Sequence, residues 1–315
     1  MNSIFTKIFI SPYSMAGFNT RSSSDDLEEM LLFFKEIVTT HSIYHNILIE
    51  CVNDIFDYKV DGLSFQDIIL EIFDLDEGIY QHYLSELQKI VGEYVRYNNT
   101  PTVKSIIVSQ RCTLPILLPL SRNGYSFWSE LDDFEHTCNL RNTLKISSNY
   151  IANNYKNESE FIKLCKINYI FLDFHDDIES TLRTIKIGKY YDYINLITHS
   201  LNVLNQSYFL VSTDANKNQE DLNVIMNLSN DLGERLECSR QGKNKVEWEF
   251  KNISISHLNE RETINCEYHL KINKMDDGRD IPLGDGNPIR IYFGLKSYPE
   301  LDRKQFKVAH IGKHL

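Results

Sequence analysis

The sequence contains no long apolar segment and no cysteine arrangement typical of a secreted or membrane-spanning protein. No uninterrupted apolar run reaches about 18 residues, the length at which a transmembrane helix becomes a candidate. The stretch MNSIFTKIFISPYSM is too polar for a secretory signal peptide. The six cysteines form no C-x-x-C pair, which favours reduced, mostly buried thiols over disulfides or a zinc site. We therefore expect a soluble, cytoplasmic protein without a membrane partner.

The sequence also lacks the short motifs of several enzyme classes. It contains neither G-x-G-x-x-G nor G-x-x-x-x-G-K-[ST], so the glycine-rich cradles for dinucleotides and nucleoside triphosphates are missing. It contains no G-x-S-x-G, the turn that presents a nucleophilic serine in α/β-hydrolases. We therefore expect no cofactor.

Positive charge is scarce, and its distribution is uneven. The net charge is −11, which argues against nucleic-acid binding over the whole surface. Residues 237–315 carry 14 Lys and Arg against 12 Asp and Glu, a balance of +2, so residues 1–236 carry −13. The C-terminal part is therefore the better candidate for contact with phosphate.

Hydrophobic periodicity divides the chain into three predicted domains. Residues 1–125 alternate strand-like and helix-like segments, which predicts a small α/β sheet with crossover helices. Its predicted strands include TVKSIIVSQ at 102–110. Residues 126–236 carry mainly helical spacing. Residues 237–315 change to a two-residue period, with strands predicted at 245–250, 263–274, 287–294 and 306–313, so we expect a mostly antiparallel β domain there and an α+β protein overall.

Polar side chains occupy alternate positions in three of the predicted C-terminal strands. Because successive residues of a strand point to opposite faces, alternation can collect these side chains on one face of the sheet. The predicted set is Glu267, His269 and Lys271 in one strand, Arg290 and Tyr292 in the next, and His310 and His314 in the last.

This set of residues suits metal-independent cleavage of a phosphodiester. His269 and Glu267 would take the proton of a ribose 2′-hydroxyl, and His310 or His314 would protonate the leaving oxygen. Lys271 and Arg290 would stabilise the charge on the phosphate, with Tyr292 beside them in the substrate site. Small secreted fungal ribonucleases and RelE-type toxins are similar in kind, since they place such groups on a sheet face. The alternative interpretation is an ordinary solvated face, where Glu, Lys, Arg and Tyr are common.

The C-terminal pattern also resembles a known group of proteins. The runs C-E-x-H-L-K (266–271), R-I-Y-F (290–293) and H-I-G-K-H-L (310–315) resemble the ending of uncharacterised bacterial proteins from defence islands and mobile elements. The resemblance covers about 60 residues, and KIFISPYSM (7–15) adds a weaker match. It implies a prokaryotic, anti-phage setting, and no activity is attached to the group.

The sequence supports a leading interpretation and two alternatives. The leading one is a bacterial defence-type protein whose C-terminal domain binds or cleaves nucleic acid, preferably RNA. In the first alternative, the same face recognises another protein subunit and catalyses nothing. In the second, the acidic cluster in YIFLDFHDDIESTL (169–182), from Asp173 to Glu179, holds Mg²⁺ or Mn²⁺ for nuclease chemistry. Acidic residues at the start of a helix also explain that cluster structurally.

Overall fold

The structure is a computed structural model in which the chain forms two compact units, residues 1–147 and 148–315. It describes residues 4–15, 19–73, 76–96, 98–110, 113–122, 135–241, 246–252, 260–282, 289–298 and 301–315. Residues 245, 287 and 288 of the predicted strands lie outside these ranges. The boundary at residue 147 separates two compact units. The predicted division into three domains, at residues 125 and 236, stays a prediction.

The first unit contains a parallel sheet with helical crossovers, as the alternation of its sequence predicts. Its strands run in the order β2-β1-β3, with Ile8 of β1 opposite Ile49 of β2 and Leu118 of β3. Parallel neighbours require crossover connections, and helices supply them here. The elements are β1 (Thr6–Ile10), α1 (Ser24–His41), β2 (Ile47–Cys51), α2 (Phe65–Ile72), α3 (Glu77–Val91), α4 (Thr100–Ser109) and β3 (Ile116–Pro119), with 3₁₀ turns at Pro12–Met15 and Gly92–Tyr94.

The strand predicted at 102–110 is wrong, because this segment forms helix α4. Its β-branched residues resemble a strand, but local signals at its start favour a helix. The Asn99 side chain accepts a hydrogen bond from the amide of Thr102, and Pro101 lies in the first turn. Val103 and Ile107, one helical turn apart, are both buried. Burial on a four-residue spacing therefore outweighs strand propensity.

The second unit combines helices with a strand-rich C-terminal part, which confirms the α+β prediction. Helix α5 (Leu140–Asn153) spans the division between the units. It is followed by α6 (Glu158–Asn168), β4 (Leu172–Phe174), α7 (Ile178–Leu182), α8 (Ile194–Ser207), α9 (Asn218–Asp231), β5 (Glu237–Arg240), β6 (Glu247–Lys251), β7 (Arg261–Asn265), β8 (Tyr268–Ile272), β9 (Ile289–Ser297) and β10 (Lys304–Gly312), with 3₁₀ turns at Tyr190–Tyr193 and Ala215–Lys217.

The C-terminal strands form a five-stranded sheet in the order β4-β10-β9-β8-β5 and a separate antiparallel pair, β6–β7. In the larger sheet only β4 and β10 are parallel; the other neighbours are antiparallel. The strand predicted at 263–274 is in fact two strands, because the chain leaves its pairing with β6 at Asn265 and begins to pair with β9 at Tyr268. The four-residue strand β5 was not predicted.

The described residues bear on two expectations, the one about membrane-spanning helices and the one about the cysteines. None of the described helices combines the length and apolar character needed to cross a membrane. The described cysteines are free thiols, and all except the half-buried Cys138 are buried, namely Cys51, Cys165, Cys238 and Cys266. Cys112 lies outside the described residues.

A buried ion pair connects strand β10 to helix α9. The Lys304 ammonium lies 2.5 Å from the Asp221 carboxylate, and both side chains are almost completely excluded from solvent. Lys304 Nζ also donates to Asn218 Oδ1 at 2.8 Å, and Asp221 accepts from the amide of Ser212 at 2.7 Å. Such a pair stabilises little against an apolar alternative, but loss of one partner leaves a buried charge uncompensated.

We expect Lys304→Met to lower the free energy of unfolding by about 3–5 kcal/mol, because Asp221 loses its counter-ion. Adding Asp221→Asn should recover a large part of the loss, since the amide oxygen still accepts from Ser212. The measurement is urea unfolding followed by circular dichroism. The control Lys274→Met breaks a partly exposed pair with Glu234 and should cost less than about 1 kcal/mol. Equal stability of Lys304→Met and the wild type would contradict this prediction.

Candidate functional site

Three predicted site residues lie side by side across the C-terminal sheet. The register places His269 of β8 opposite Tyr292 of β9, and Tyr292 opposite His310 of β10. The ring centroid of Tyr292 lies 5.1 Å from that of His269 and 5.8 Å from that of His310. Ser239 of β5 continues the row, with its Oγ 3.1 Å from His269 Nε2. Four strands therefore contribute to one polar row.

A β-bulge in β10 brings His310 into this row. Val308 pairs with Phe293, but His310 pairs with Tyr292, so Ala309 is an extra residue in the ladder. In a regular strand, Val308 and His310 would point to the same face of the sheet. Because of the bulge, they point to opposite faces. Gly312 lies against α7, where an added Cβ would meet Thr181 O.

A second row on the same face contains Glu237, Lys271 and Arg290. Lys271 of β8 lies opposite Glu237 of β5 on one side and Arg290 of β9 on the other. The Lys271 ammonium donates to the Glu237 carboxylate at 3.0 Å. Glu237 therefore forms its ion pair with Lys271, and it favours the charge of Arg290 only at longer range.

Arg290 is a buried cation without a carboxylate partner in the part of the chain that the structure describes. Only 8% of the residue is exposed. Its Nη1 donates to Asn273 Oδ1 at 3.3 Å and to Ile289 O at 2.9 Å. Its Nε is buried and has no hydrogen-bond partner among the described residues. Burial lowers the pKa of Arg290, but a guanidinium stays charged at any ordinary pH. An uncompensated buried charge is costly unless a ligand supplies the opposite charge.

His269 is the diagonal neighbour of Arg290 on this face, and it is 4% exposed. Its pKa is lowered to about 4, chiefly by burial and in addition by the positive charges of Arg290, Lys271 and His314. The imidazole is therefore neutral at pH 7. Its Nε2 contacts Ser239, whereas its buried Nδ1 has no hydrogen-bond partner within the described ranges.

The geometry gives His310 little capacity to act as an acid. The residue is 2% exposed, and its Nε2 donates to the carbonyl oxygen of Lys313 at 2.9 Å. Burial lowers its pKa to about 4, so at neutral pH the imidazole lacks the second proton that a general acid gives up. His314 is exposed, and its ring centroid lies 6.1 Å from that of His269. Of the two histidines predicted to supply a proton, His314 is the better placed.

Glu267 and Tyr292 are engaged by neighbouring groups. The Glu267 carboxylate lies 2.9 Å from Arg240 Nε, so its closest ionic contact is at the edge of the sheet, not at His269. The Tyr292 hydroxyl donates to Gln241 Oε1 at 3.3 Å and accepts from the amide of Leu315 at 3.1 Å. Gln241 Nε2 donates to Leu315 O at 3.0 Å, which completes a closed set of three contacts.

The polar face is covered over part of its area. An added Cβ at Gly294 would lie 2.7 Å from Ile264 Cγ2, and Ala309 packs with Phe250 and Ile264, so the β6–β7 pair lies against β9 and β10. Trp248 of β6 extends this cover to His310, with ring centroids 6.3 Å apart. The interpretation of this face as ordinary and solvated is therefore wrong for His269, Tyr292, Arg290 and His310, which are all buried.

The acidic cluster at 173–179 does not converge on one point. Asp173 pairs with Lys307 at 2.8 Å, Asp176 with Arg261 at 3.8 Å, and Glu179 with Arg183 at 3.1 Å. Among the described residues, no group of three or more His, Cys, Asp or Glu side chains is arranged to hold a metal ion. The carboxylates instead neutralise separate cations.

Sequence patterns did not identify three polar groups of the site, Ser239, Gln241 and Asn273. Ser239 belongs to strand β5, which is too short to give a clear two-residue period, and Gln241 follows it directly. Asn273 follows β8, where alternation placed no functional residue. The segment ECSRQ (237–241) has one apolar residue, Cys238, among four polar ones, so its sequence shows no strand period.

No family model, curated protein sequence or solved structure matches the chain. The resemblance of the C-terminal pattern to defence-island proteins therefore stays a prediction.

The two buried histidines predict a loss of stability in mild acid. His269 and His310 have pKa values of about 4 in the folded chain against an ordinary value of 6.5, so the unfolded chain binds protons first as the pH falls. Stability is therefore complete above about pH 6.5 and declines toward pH 4, by about 2 kcal/mol for each histidine at pH 5. Urea unfolding between pH 7.5 and pH 5 measures this decline.

His310→Gln isolates the contribution of one histidine, because His41, whose pKa burial also lowers to about 4, acts in the same direction in both proteins. The variant should show a shallower decline with falling pH than the wild type. The control is His45→Gln at an exposed position, which should keep the wild-type pH dependence. An unchanged pH dependence in His310→Gln would refute the assignment.

Proposed function

We propose that the C-terminal part of the chain binds nucleic acid through a phosphate held between Arg290 and His269, without a metal ion. The observation that carries the proposal is the buried guanidinium of Arg290, which has no carboxylate partner among the described residues. Phosphate supplies the missing negative charge, and arginine binds it through paired N–H donors. Lys271 lies directly opposite Arg290 on the neighbouring strand. It adds a second, half-buried cation at the rim of the site, where it pairs with Glu237.

RNA is the preferred ligand in this proposal because His269 is neutral. A neutral imidazole accepts a hydrogen bond, and the ribose 2′-hydroxyl of RNA can donate one next to a phosphate. The same contact is the first step of metal-independent RNA cleavage, in which the imidazole takes the hydroxyl proton. The second step needs a proton donor, and His310 is neutral with its Nε2–H already bonded to Lys313. Binding is thus better supported than cleavage, which would require His314.

We expect Arg290→Gln to weaken the binding of a single-stranded RNA oligonucleotide by at least about tenfold, the effect of losing one charge-assisted contact. Fluorescence anisotropy with labelled RNA and DNA, in EDTA and at two salt concentrations, measures the affinity. The affinity should fall as salt rises, as for any phosphate contact. Gel analysis of the same samples shows whether the RNA is cut.

The control variant is Arg279→Gln, an exposed arginine of the same unit that pairs with Asp277. It should bind RNA as the wild type does. Lys271→Gln provides a second test at a less buried position, in case Arg290→Gln fails to fold. Unchanged RNA binding by folded Arg290→Gln, or no RNA binding by the wild type, would contradict the proposal. The second result would favour the non-enzymatic partner-binding subunit, and EDTA-sensitive cutting would favour the Asp173–Glu179 metal site.

We also propose a bacterial anti-phage setting, which the resemblance of the C-terminal pattern supports. If this is correct, expression of the wild-type protein in bacteria should lower the plating efficiency of at least some phages. Arg290→Gln at the same expression level should restore plating, because the phosphate contact would be lost. Equal plating on cells with and without the protein, over a broad phage panel, would count against this setting.

A further inference from the structure

Only some of the N–H donors of Arg290 bind to described protein groups. Asn273 Oδ1 and Ile289 O both accept from Nη1, which uses the donors of that nitrogen. No described residue accepts from Nε or Nη2, and Nε is completely buried. These two nitrogens form the parallel pair of N–H groups with which arginine binds two oxygens of one phosphate or carboxylate. The protein thus orients the guanidinium and leaves its two-donor edge for a ligand.

His269 provides the second group at this point of the sheet. Lys271 lies opposite Arg290 and His269 lies opposite Tyr292, so His269 and Arg290 are diagonal neighbours on one face. Side chains in this relation can contact the same small ligand. The buried Nδ1 of His269, like the Nε of Arg290, has no partner within the described part of the chain. An anion between them would satisfy both atoms, and it would have to bind beneath the surface.

The site is closed on the side of Tyr292. The Tyr292 hydroxyl, the Gln241 side chain and the backbone of Leu315 are connected by three hydrogen bonds of 3.0–3.3 Å. The His314 ring packs against both His269 and Tyr292, with centroids 6.1 and 6.4 Å away. A nucleic-acid strand that continued on both sides of the bound phosphate would have to pass through these contacts. A strand that ends at the phosphate would not.

We propose that this site takes the terminal phosphate of a nucleic-acid strand and excludes internal phosphodiesters. The inference rests on the proposed nucleic-acid function and narrows its ligand class. A terminal phosphate presents three free oxygens and a charge near −2, whereas an internal phosphodiester presents two free oxygens and a charge of −1. Two oxygens can accept from the Nε and Nη2 of Arg290. The third can accept from the Nδ1 of His269 in the tautomer whose Nε2 accepts from Ser239, whereas a 2′-hydroxyl donor would use the other tautomer. The strand then leaves toward the half-buried ammonium of Lys271.

The test compares RNA oligonucleotides of one sequence that carry a 5′-phosphate, a 3′-phosphate or hydroxyl groups at both ends. Competition measured by fluorescence anisotropy with the whole chain should give a dissociation constant at least about tenfold lower for one phosphorylated form than for the hydroxyl form. Phosphatase treatment of the tighter ligand should remove the preference. The 5′ and 3′ forms identify which end is bound, and inorganic phosphate, added as a competitor, should displace the tighter ligand.

Arg290→Lys locates the preference, because lysine keeps the charge but lacks the paired donors. This variant should bind the phosphorylated and hydroxyl forms within about threefold of each other. The matched control Arg279→Lys, at an exposed site, should keep the full preference. Persistence of the preference in folded Arg290→Lys would overturn the assignment to this edge.

The failure of this inference is distinguishable from the failure of the proposed function. Equal affinity of the wild type for all three oligonucleotides, with binding still weakened by Arg290→Gln, would overturn the terminal-phosphate inference and leave nucleic-acid binding in place. No affinity for any of them would overturn both.

Discussion

The buried ammonium of Lys307 connects the β6–β7 pair to the polar face of the C-terminal sheet. It lies 2.8 Å from Asp173 of β4 and 3.3 Å from Glu262 of β7, and over the rings of Phe250 and Tyr298. A lysine with no exposed side-chain surface remains charged only if carboxylates compensate it. Asp173 belongs to β4, the sheet neighbour of β10, and Glu262 belongs to β7 of the separate pair. The ion cluster therefore connects the β6–β7 pair to the larger sheet, over part of its polar face.

The chemistry of the neighbouring row follows from this cover. A histidine on an open sheet face would titrate near its ordinary pKa and could exchange protons at neutral pH. Under the cover, burial lowers the pKa of His310 to about 4. His269, whose ring packs against Tyr292 and His314, is buried as well, and burial together with Arg290, Lys271 and His314 lowers its pKa to about 4. The face therefore presents neutral imidazoles beside permanently charged guanidinium, which favours anion binding over acid–base exchange.

Sequence alternation predicted correctly that His269, Lys271, Arg290 and Tyr292 share a face, because two-residue periodicity is a local property of β8 and β9. It could not predict that the face is buried, since part of the cover is formed by strands β6 and β7, which the long-range ion pair of Glu262 with Lys307 connects to the larger sheet. The bulge at Ala309 likewise has no signal in the sequence, because it depends on the pairing of β10 with β9. In the first unit, TVKSIIVSQ (102–110) has the β-branched composition of a strand, but the Asn99 cap at its start favours the helix that forms.

The two unsatisfied atoms of the site have to be explained together. A single buried donor without a partner is a tolerable defect, since native proteins contain a few. Arg290 and His269, whose Nε and Nδ1 have no hydrogen-bond partner in the parts of the chain that the structure describes, are diagonal neighbours on one face. Glu237 forms its ion pair with Lys271, so no described carboxylate pairs directly with Arg290. Leucine or methionine would fill the position of Arg290 at lower cost if only packing mattered. The anion that we propose would give both atoms a partner and would supply the charge that Arg290 lacks.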